Sequence, residues 1–290
     1  MKIIRGELLK KHTSLRIGGP ADYFCVPKTL ADLRAALTFA GRGRLPVVVM
    51  GGGTNLLALD KGFHGLVIKL GGGLERLSVK GRFVRAGAGI FLPELLNAQA
   101  RRGLTGLEFL AGIPGTLGGA AAMNAGAWGQ EIGACIERVR VVDHDGKIIS
   151  LDKKELNFGY RASALQDSRF IIAEVVLKLK KGAARRIKAR MKDFLAQRKA
   201  GQPLGIPNAG SIFKNPKGRF AGKLLEAAGF KGARVGDAQV SARHANFIVN
   251  LGEARAADVI KLMTRMQNSV KKRFKVRLEP ELKIMVQSRS

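Results

Sequence analysis

The sequence predicts a two-domain α+β protein, and three observations predict it. Positions 1–70 alternate strand-like and helix-like segments, positions 71–182 turn strand-rich, and a charged helical stretch beginning near 183 opens a smaller set of mixed elements. The expected organisation is a first domain over 1–182 and a second domain over 183–290. At 290 residues, 46% of them hydrophobic, the chain can bury a core in each.

In order along the chain, 21–26 reads as extended and 30–40 as a helix behind a Thr29 cap. The apolar run 45–50 has the pattern of a buried parallel strand. Strands are expected at 83–86, 136–143, 148–151 and 171–179, with a helix at 92–102 that opens with Pro93 in its first turn and a hairpin turn at 144–147. The stretch 180–200 puts Ile187, Met191, Phe194 and Leu195 on one helical face and reads as the boundary element. Beyond it come a short helix over 221–228 closed by Gly229, a strand at 244–250, a long amphipathic helix through Ile260, Met263, Met266 and Val270, and a terminal strand at 278–285.

Composition narrows the function classes. No apolar run approaches the roughly 18 residues that would span a bilayer, and the first seven residues lack the apolar core of a secretory signal. The expectation is a cytoplasmic protein without membrane insertion. Cys25 and Cys135 sit in strand-like apolar settings, and two thiols make neither a disulfide scaffold nor a metal site, so they read as reduced and buried, with no metal expected. The net charge of +29 admits three readings: a nucleic-acid binder, a basic host proteome, or clefts that attract small multiply charged anions. One Trp and two Tyr leave little to stack bases, so nucleic acid is not expected as the main partner.

The segment 207–216, Pro-Asn-Ala-Gly-Ser-Ile-Phe-Lys-Asn-Pro, isolates one hydroxyl, Ser211, between two prolines. A hydrolytic elbow needs Gly-x-Ser-x-Gly and a histidine base, whereas position 213 is Phe and no histidine is near in sequence. Two readings stay open, a proton donor and a serine that closes a turn. The run Gly51-Gly52-Gly53-Thr54-Asn55 follows a strand directly and can offer amides to a pyrophosphate or simply turn tightly; it matches neither Gly-x-Gly-x-x-Gly nor the P-loop. A second such loop, Gly112 to Gly119, precedes 120–127, which has almost no side-chain bulk; together they suit a dinucleotide with two ends, or close packing of backbone. Arg161 follows an aromatic in a loop, which suits carboxylate recognition or plain solvation, and Glu279 and Glu281 share a face if the chain stays regular through Pro280.

Seven blocks, taken in order, carry a resemblance: 12–22, 51–57, 106–115, 123–127, 160–163, 210–216 and 279–283. Together they closely resemble the UDP-N-acetylenolpyruvoylglucosamine reductase (MurB) family, flavoenzymes that complete UDP-N-acetylmuramate in peptidoglycan synthesis. The resemblance implies a two-lobed FAD-binding domain of the vanillyl-alcohol-oxidase (PCMH) type, with lobes of about 1–70 and 71–182, then a smaller α/β substrate-binding domain. It implies FAD held non-covalently, NADPH as co-substrate, and UDP-N-acetylglucosamine enolpyruvate as the group reduced. A hydride passes from reduced FAD to the β-carbon and a proton to the α-carbon.

By the same resemblance Ser211 donates that proton, while Arg161 and Glu281 stabilise charge at the substrate carboxylate. FAD contacts fall to Gly51, Gly52, Gly53, Thr54, Asn55, Ile113, Pro114, Gly115, Thr116, Gly118 and Gly119, mostly through backbone. Asn215, Lys231 and His244 serve the nucleotide diphosphate, with Lys214 beside Ser211 and Lys223 as further substrate-binding positions. Only fifty positions separate Arg161 from Ser211, so the chain resembles the subclass that lacks a substrate-capping tyrosine loop.

Overall fold

The structure is a computed structural model that describes residues 1–166 and 169–286. Contacts within the chain divide it into two compact units. The first comprises Met1–Ile4, Tyr23–Gly52 and Gly65–Arg198; the second comprises Arg5–Asp22, Gly53–His64 and Lys199–Ser290.

In the first unit, helix α1 (Leu30–Arg42) begins where expected. The Thr29 hydroxyl accepts the Asp32 amide at 3.0 Å and the Asp32 carboxylate accepts the Thr29 amide at 3.2 Å, a reciprocal cap. Leu33, Ala36, Leu37 and Ala40, at helical spacing, go into the core. The Val47–Met50 strand pairs in parallel with Phe63–Lys69, yet of its four residues only Met50 is buried. It is the edge of its sheet, so the apolar run identified a strand correctly and its burial wrongly.

A five-stranded antiparallel sheet forms the larger part of this unit, in the order Ile148–Asp152, Ile136–Val142, Ile171–Lys178, Phe83–Gly87, Leu77–Lys80. Alternation sets its faces. Val139, Val175, Ala86, Val84 and Leu177 are fully buried, whereas Arg138, Arg140, Glu174 and Arg85 point away, with Glu174 paired to Arg85 at 3.5 Å and Arg140 at 3.7 Å. Helices α2 (Leu92–Arg101), opened by Pro93, and α3 (Leu117–Ala122) follow, α3 packing against the Ile171–Lys178 strand. Helix α4 (Ala184–Gly201) closes this stretch of chain. It buries Ile187 fully, with Met191 and Phe194 partly covered by the first core. Both cysteines are free thiols; Cys25 is buried in this core, which pushes its pKa up to about 11, and Cys135 is half-buried and also raised, chiefly by burial.

The second unit has its own core. A four-stranded antiparallel sheet runs Asn208–Ser211, Phe247–Asn250, Ala238–Val240, Arg234–Val235. Helices α5 (Ala221–Ala227) and α6 (Ala256–Phe274) pack with it, α6 burying Val259, Leu262, Met263, Met266 and Val270 along one face. The first turn of α6 is capped from far away in sequence: the Asp60 carboxylate accepts the amides of Ala256 at 2.7 Å and Ala257 at 3.1 Å. The strand expected at 244–250 begins only at Phe247, because His244 and Phe247 close a turn. The terminal strand is also shorter than expected. Lys283–Met285 pairs in parallel with Leu56–Ala58, while Pro280, lacking an N–H, makes an isolated bridge to Phe213.

Candidate functional site

Ser211 ends its strand at a point where the chain is held from two directions. Ile212 donates to the Asn246 carbonyl, the Phe213 amide to Asn246 Oδ1 at 3.0 Å, and Asn246 Nδ2 to the Phe213 carbonyl at 2.8 Å. From the other side Glu281 donates its amide to the Ile212 carbonyl at 2.8 Å, and Lys214 donates to the Glu279 carbonyl at 2.9 Å. Gly210, at φ +75°, makes the bend that precedes the serine. Among the described residues the Ser211 hydroxyl makes no hydrogen bond to the protein. By contrast, the Ser163 hydroxyl donates to the Ala122 carbonyl and that of Ser14 to the Asn208 carbonyl. A turn-closing serine would spend its hydroxyl as those two do.

That pairing brings Glu281 beside Ser211 along the backbone, and Asn55 joins them. Its Nδ2 donates to the Glu281 carbonyl at 3.1 Å, and its own carbonyl accepts the Lys283 amide at 3.1 Å. The two glutamates part company: Glu279 is 70% exposed, with Oε2 3.5 Å from Lys214 Nζ, whereas Glu281 is half-buried. Lys283 has its pKa lowered, first by burial and then by the charge of Lys214. The Lys214 and Lys283 ammonium groups lie close enough to feel each other, and Lys214 is also engaged by an exposed carboxylate.

Asn215, Lys231 and His244 gather around α5. Asn215 Oδ1 accepts the Ala221 amide at 3.0 Å, replacing a side-chain cap that Phe220 cannot supply. Lys231 Nζ lies 2.6 Å from Glu226 Oε1. His244 packs so closely on Gly222 that a Cβ there would come within 2.8 Å of its Cε1, and its Nδ1 accepts the Asn246 amide at 3.2 Å. Burial, then the charge of Lys231, lowers its pKa, so the ring is neutral and presents Nε2–H as a donor. Lys223 instead sits 5.4 Å from the Phe220 ring centroid.

In the first unit Arg161 occupies a tight turn closed by reciprocal Gly159 and Ala162 hydrogen bonds, at φ +55°. A left-handed conformation there costs about 1–3 kcal/mol for a side-chain-bearing residue and needs support. Asn124 provides it. This side chain, 1% exposed, donates from Nδ2 to the Gly159 carbonyl at 2.9 Å and to Glu131 Oε2 at 2.8 Å, while Oδ1 accepts the Gly133 amide at 2.9 Å. Gln166 donates to the Arg161 carbonyl, and Arg161 Nη2 donates to the Gly126 carbonyl at 2.9 Å. The sequence marked 123–127 as part of a run of small residues and as one block of the resemblance, with no role for Asn124; an asparagine among alanines was the available signal for this hub.

The two glycine-rich loops differ in what they offer. Among the described residues the amides of Gly51, Gly52 and Gly53 donate to no protein acceptor, leaving three consecutive N–H groups for an anion. In the second loop Ile113 donates to Leu110, Leu117 to Ile90, Gly118 to Ala88 and Gly119 to the Thr116 hydroxyl. Its glycines serve close approach. A Cβ at Gly118 would lie 2.8 Å from that of Ala88, and one at Gly51 would fall on the Thr116 hydroxyl, so the loops touch at Gly51 and Thr116. Pro114 and Gly119 are exposed, Gly115 and Thr116 buried, and Thr54 and Asn55 half-buried. Unspent amides on one loop and a second loop packed against it fit a pyrophosphate-bearing cofactor such as FAD.

Comparison with known proteins gives two family profiles. Residues 202–285 match the one described as UDP-N-acetylenolpyruvoylglucosamine reductase, C-terminal domain, and residues 21–152 match an FAD binding domain. The chain is 49% identical to UDP-N-acetylenolpyruvoylglucosamine reductase 2 of Symbiobacterium thermophilum, covering 98% of this chain and 92% of the relative. It is 45% identical to the reductase of Desulforamulus reducens, covering 96% and 92%. The crystal structure of UDP-N-acetylenolpyruvylglucosamine reductase from Thermus caldophilus superposes with a TM-score of 0.86 at 43% identity, covering 98% of this chain and 99% of that one. The α+β class expected from the sequence holds.

Proposed function

The chain belongs to the UDP-N-acetylenolpyruvoylglucosamine reductase family, and on that premise we propose how its own residues perform the reaction. It is an FAD-dependent oxidoreductase that reduces UDP-N-acetylglucosamine enolpyruvate to UDP-N-acetylmuramate with NADPH, in peptidoglycan precursor synthesis and hence cell-wall biogenesis. When bound, FAD supplies the hydride that reaches the β-carbon of the enolpyruvyl group. The amides of Gly51 to Gly53 would hold its pyrophosphate, and the loop from Ile113 to Gly119 would serve it mostly through backbone.

The chain's task is then to manage charge and one proton. Hydride addition leaves negative charge spread over the α-carbon and the carboxylate. Arg161 is assigned to meet that carboxylate with a fork of hydrogen bonds that strengthen as charge grows, and Glu281, protonated or arginine-linked, is assigned to stabilise the same charge. Ser211 delivers the proton to the α-carbon. A serine hydroxyl is a weak acid, and the positive charge of Lys214 and Lys283 favours its alkoxide. Asn215, Lys231 and neutral His244 bind the diphosphate, with Lys223 as a further cation. The short span from Arg161 to Ser211 supports the subclass without a tyrosine loop. Among the described residues no helix is long and apolar enough to cross a membrane, and cytoplasmic residence is the setting we assign.

The observation that carries the proton-donor assignment is the Ser211 hydroxyl, unspent on a segment whose backbone is fixed on both sides. Purified protein should be yellow, with flavin absorbance released on denaturation, and its NADPH-reduced form should be reoxidised by the enolpyruvyl nucleotide in stopped flow. A colourless protein that cannot be reconstituted with FAD overturns the whole reading. A yellow one indifferent to that nucleotide is a different flavin oxidoreductase.

A further inference from the structure

The hairpin that joins the Ala238–Val240 and Phe247–Asn250 strands is interrupted at its tip. The Ser241 amide still donates to the Phe247 carbonyl at 2.9 Å, and between them the chain turns out through His244, whose carbonyl accepts the Phe247 amide at 3.0 Å. The buried Ser241 hydroxyl accepts the amides of Arg243 at 3.1 Å and His244 at 3.4 Å and so holds the turn. Phe247 is paired on its other edge with Ser211, so the ladder breaks off just past the serine.

Phe213, buried, then has no strand residue opposite its peptide groups on that edge. The buried Asn246 side chain takes the place of one: Oδ1 accepts the Phe213 amide at 3.0 Å and Nδ2 donates to the Phe213 carbonyl at 2.8 Å, the exchange a paired residue would make. A continued strand would satisfy Phe213 equally well, but it would draw 244–246 into the ladder and the His244 ring with them. The main chain of Asn246 makes two more bonds. Its amide donates to His244 Nδ1 at 3.2 Å and its carbonyl accepts the Ile212 amide at 2.9 Å. All these residues belong to the second unit.

We infer that Asn246 is the positioning residue for proton transfer: through the Ile212 and Phe213 backbone it fixes where the Ser211 hydroxyl stands relative to the His244 ring. The inference rests on the readings of Ser211 and His244 given above. A ligand gripped at its diphosphate presents its α-carbon at a distance set by its own covalent length, and a donor about 1 Å from its proper place loses about 10²-fold in rate. The main-chain bond serves the ring and the side-chain pair serves the serine, so a change of side chain separates the two.

The holoenzyme is compared with its Asn246→Gln, Asn246→Asp, Ser211→Ala and combined Ser211→Ala with Asn246→Gln variants, matched for flavin content. Gln keeps donor and acceptor but sets them one methylene further out; Asp keeps the shape and the acceptor and gives up the donor. Three quantities are read: flavin reduction by NADPH, affinity for UDP-N-acetylglucosamine by flavin absorbance, and reoxidation by saturating enolpyruvyl nucleotide in stopped flow. Both Asn246 variants should keep the first two within about threefold and slow the third about 10- to 100-fold. In the Ser211→Ala background the Asn246→Gln loss should vanish, because the group it positions is gone. Either Asn246 variant carries the test if the other does not fold. Reoxidation at the unsubstituted rate, an equal fall in all three quantities, or losses that multiply in the combined variant overturns the assignment, the last two marking Asn246 as a residue of stability alone. If Ser211→Ala by itself reoxidises normally, it is the proton-donor reading that has failed.

Discussion

At Ser211 the backbone is fixed on both sides, by Asn246 and by the 279–281 segment, and the side chain is left over. At Arg161 the backbone sits in a left-handed turn propped by Asn124, and the side chain is itself bonded, to the Gly126 carbonyl. The proposed proton donor would need its hydroxyl uncommitted until substrate arrives, and a segment held through peptide groups meets that need. A charge stabiliser has several donors and can spend one on orientation while the others act. The difference teaches that a bound side chain is no argument against function in an arginine, and is one in a serine.

The largest expected effect tests the uncommitted hydroxyl. Ser211→Ala should leave flavin reduction by NADPH intact and slow substrate reoxidation about 10²- to 10⁴-fold, with unchanged melting temperature, because among the described residues its hydroxyl makes no protein hydrogen bond. Near-normal reoxidation would make the assignment wrong. Next comes Arg161→Lys, which retains charge without a fork. Reoxidation should fall about 10²-fold while NADPH reduction is unaffected, and an equal loss in both half-reactions would mean that the turn has collapsed.

Asn124→Ala sharpens the comparison from the support side. It strands the Gly133 amide and leaves the Gly159 carbonyl with only the Ala162 amide, and chemical denaturation should register a loss of about 2 kcal/mol. Reoxidation should slow with it. The smallest effect is a pH slope. The His244 pKa is depressed in the folded state, so as pH falls below its ordinary 6.5 the unfolded chain takes up the proton first and stability drops; above 6.5 the contribution is complete. Melting temperature against pH should show this shallow decline, and His244→Gln should flatten it.

Periodicity and capping made α1 and α6 readable, because Thr29 with Asp32, and the apolar spacing of α6, are local facts. The run at 47–49 misled, since hydrophobicity marks a strand but not whether anything covers it. Likewise 278–282 looked continuous with the last strand, although Pro280 cannot donate to a ladder. At the site, the resemblance named Ser211, Arg161 and Glu281, while the residues that hold them stayed hidden. Asn246 is 33 positions from Phe213, and Asn55 is 226 from Glu281. Such partners are set by tertiary structure and leave no mark in a local window. Arg198 is one of 51 basic residues in the sequence, and only the fold sets it over the Trp128 ring.

The cap that Asp60 places on α6 has a consequence in time. Asp60 is synthesised early, its partners Ala256 and Ala257 nearly two hundred residues later, and the Lys283 amide that pairs with Asn55 later still. The first unit is complete in sequence by Arg198, whereas the second uses chain from both ends of the molecule. On the ribosome the early segments of the second unit must wait, their acceptors in water, until the last strand emerges. The unit that holds Ser211 is thus the last to form, and a nascent chain cut short before Lys283 would lack the pairing that seats Glu281 beside it.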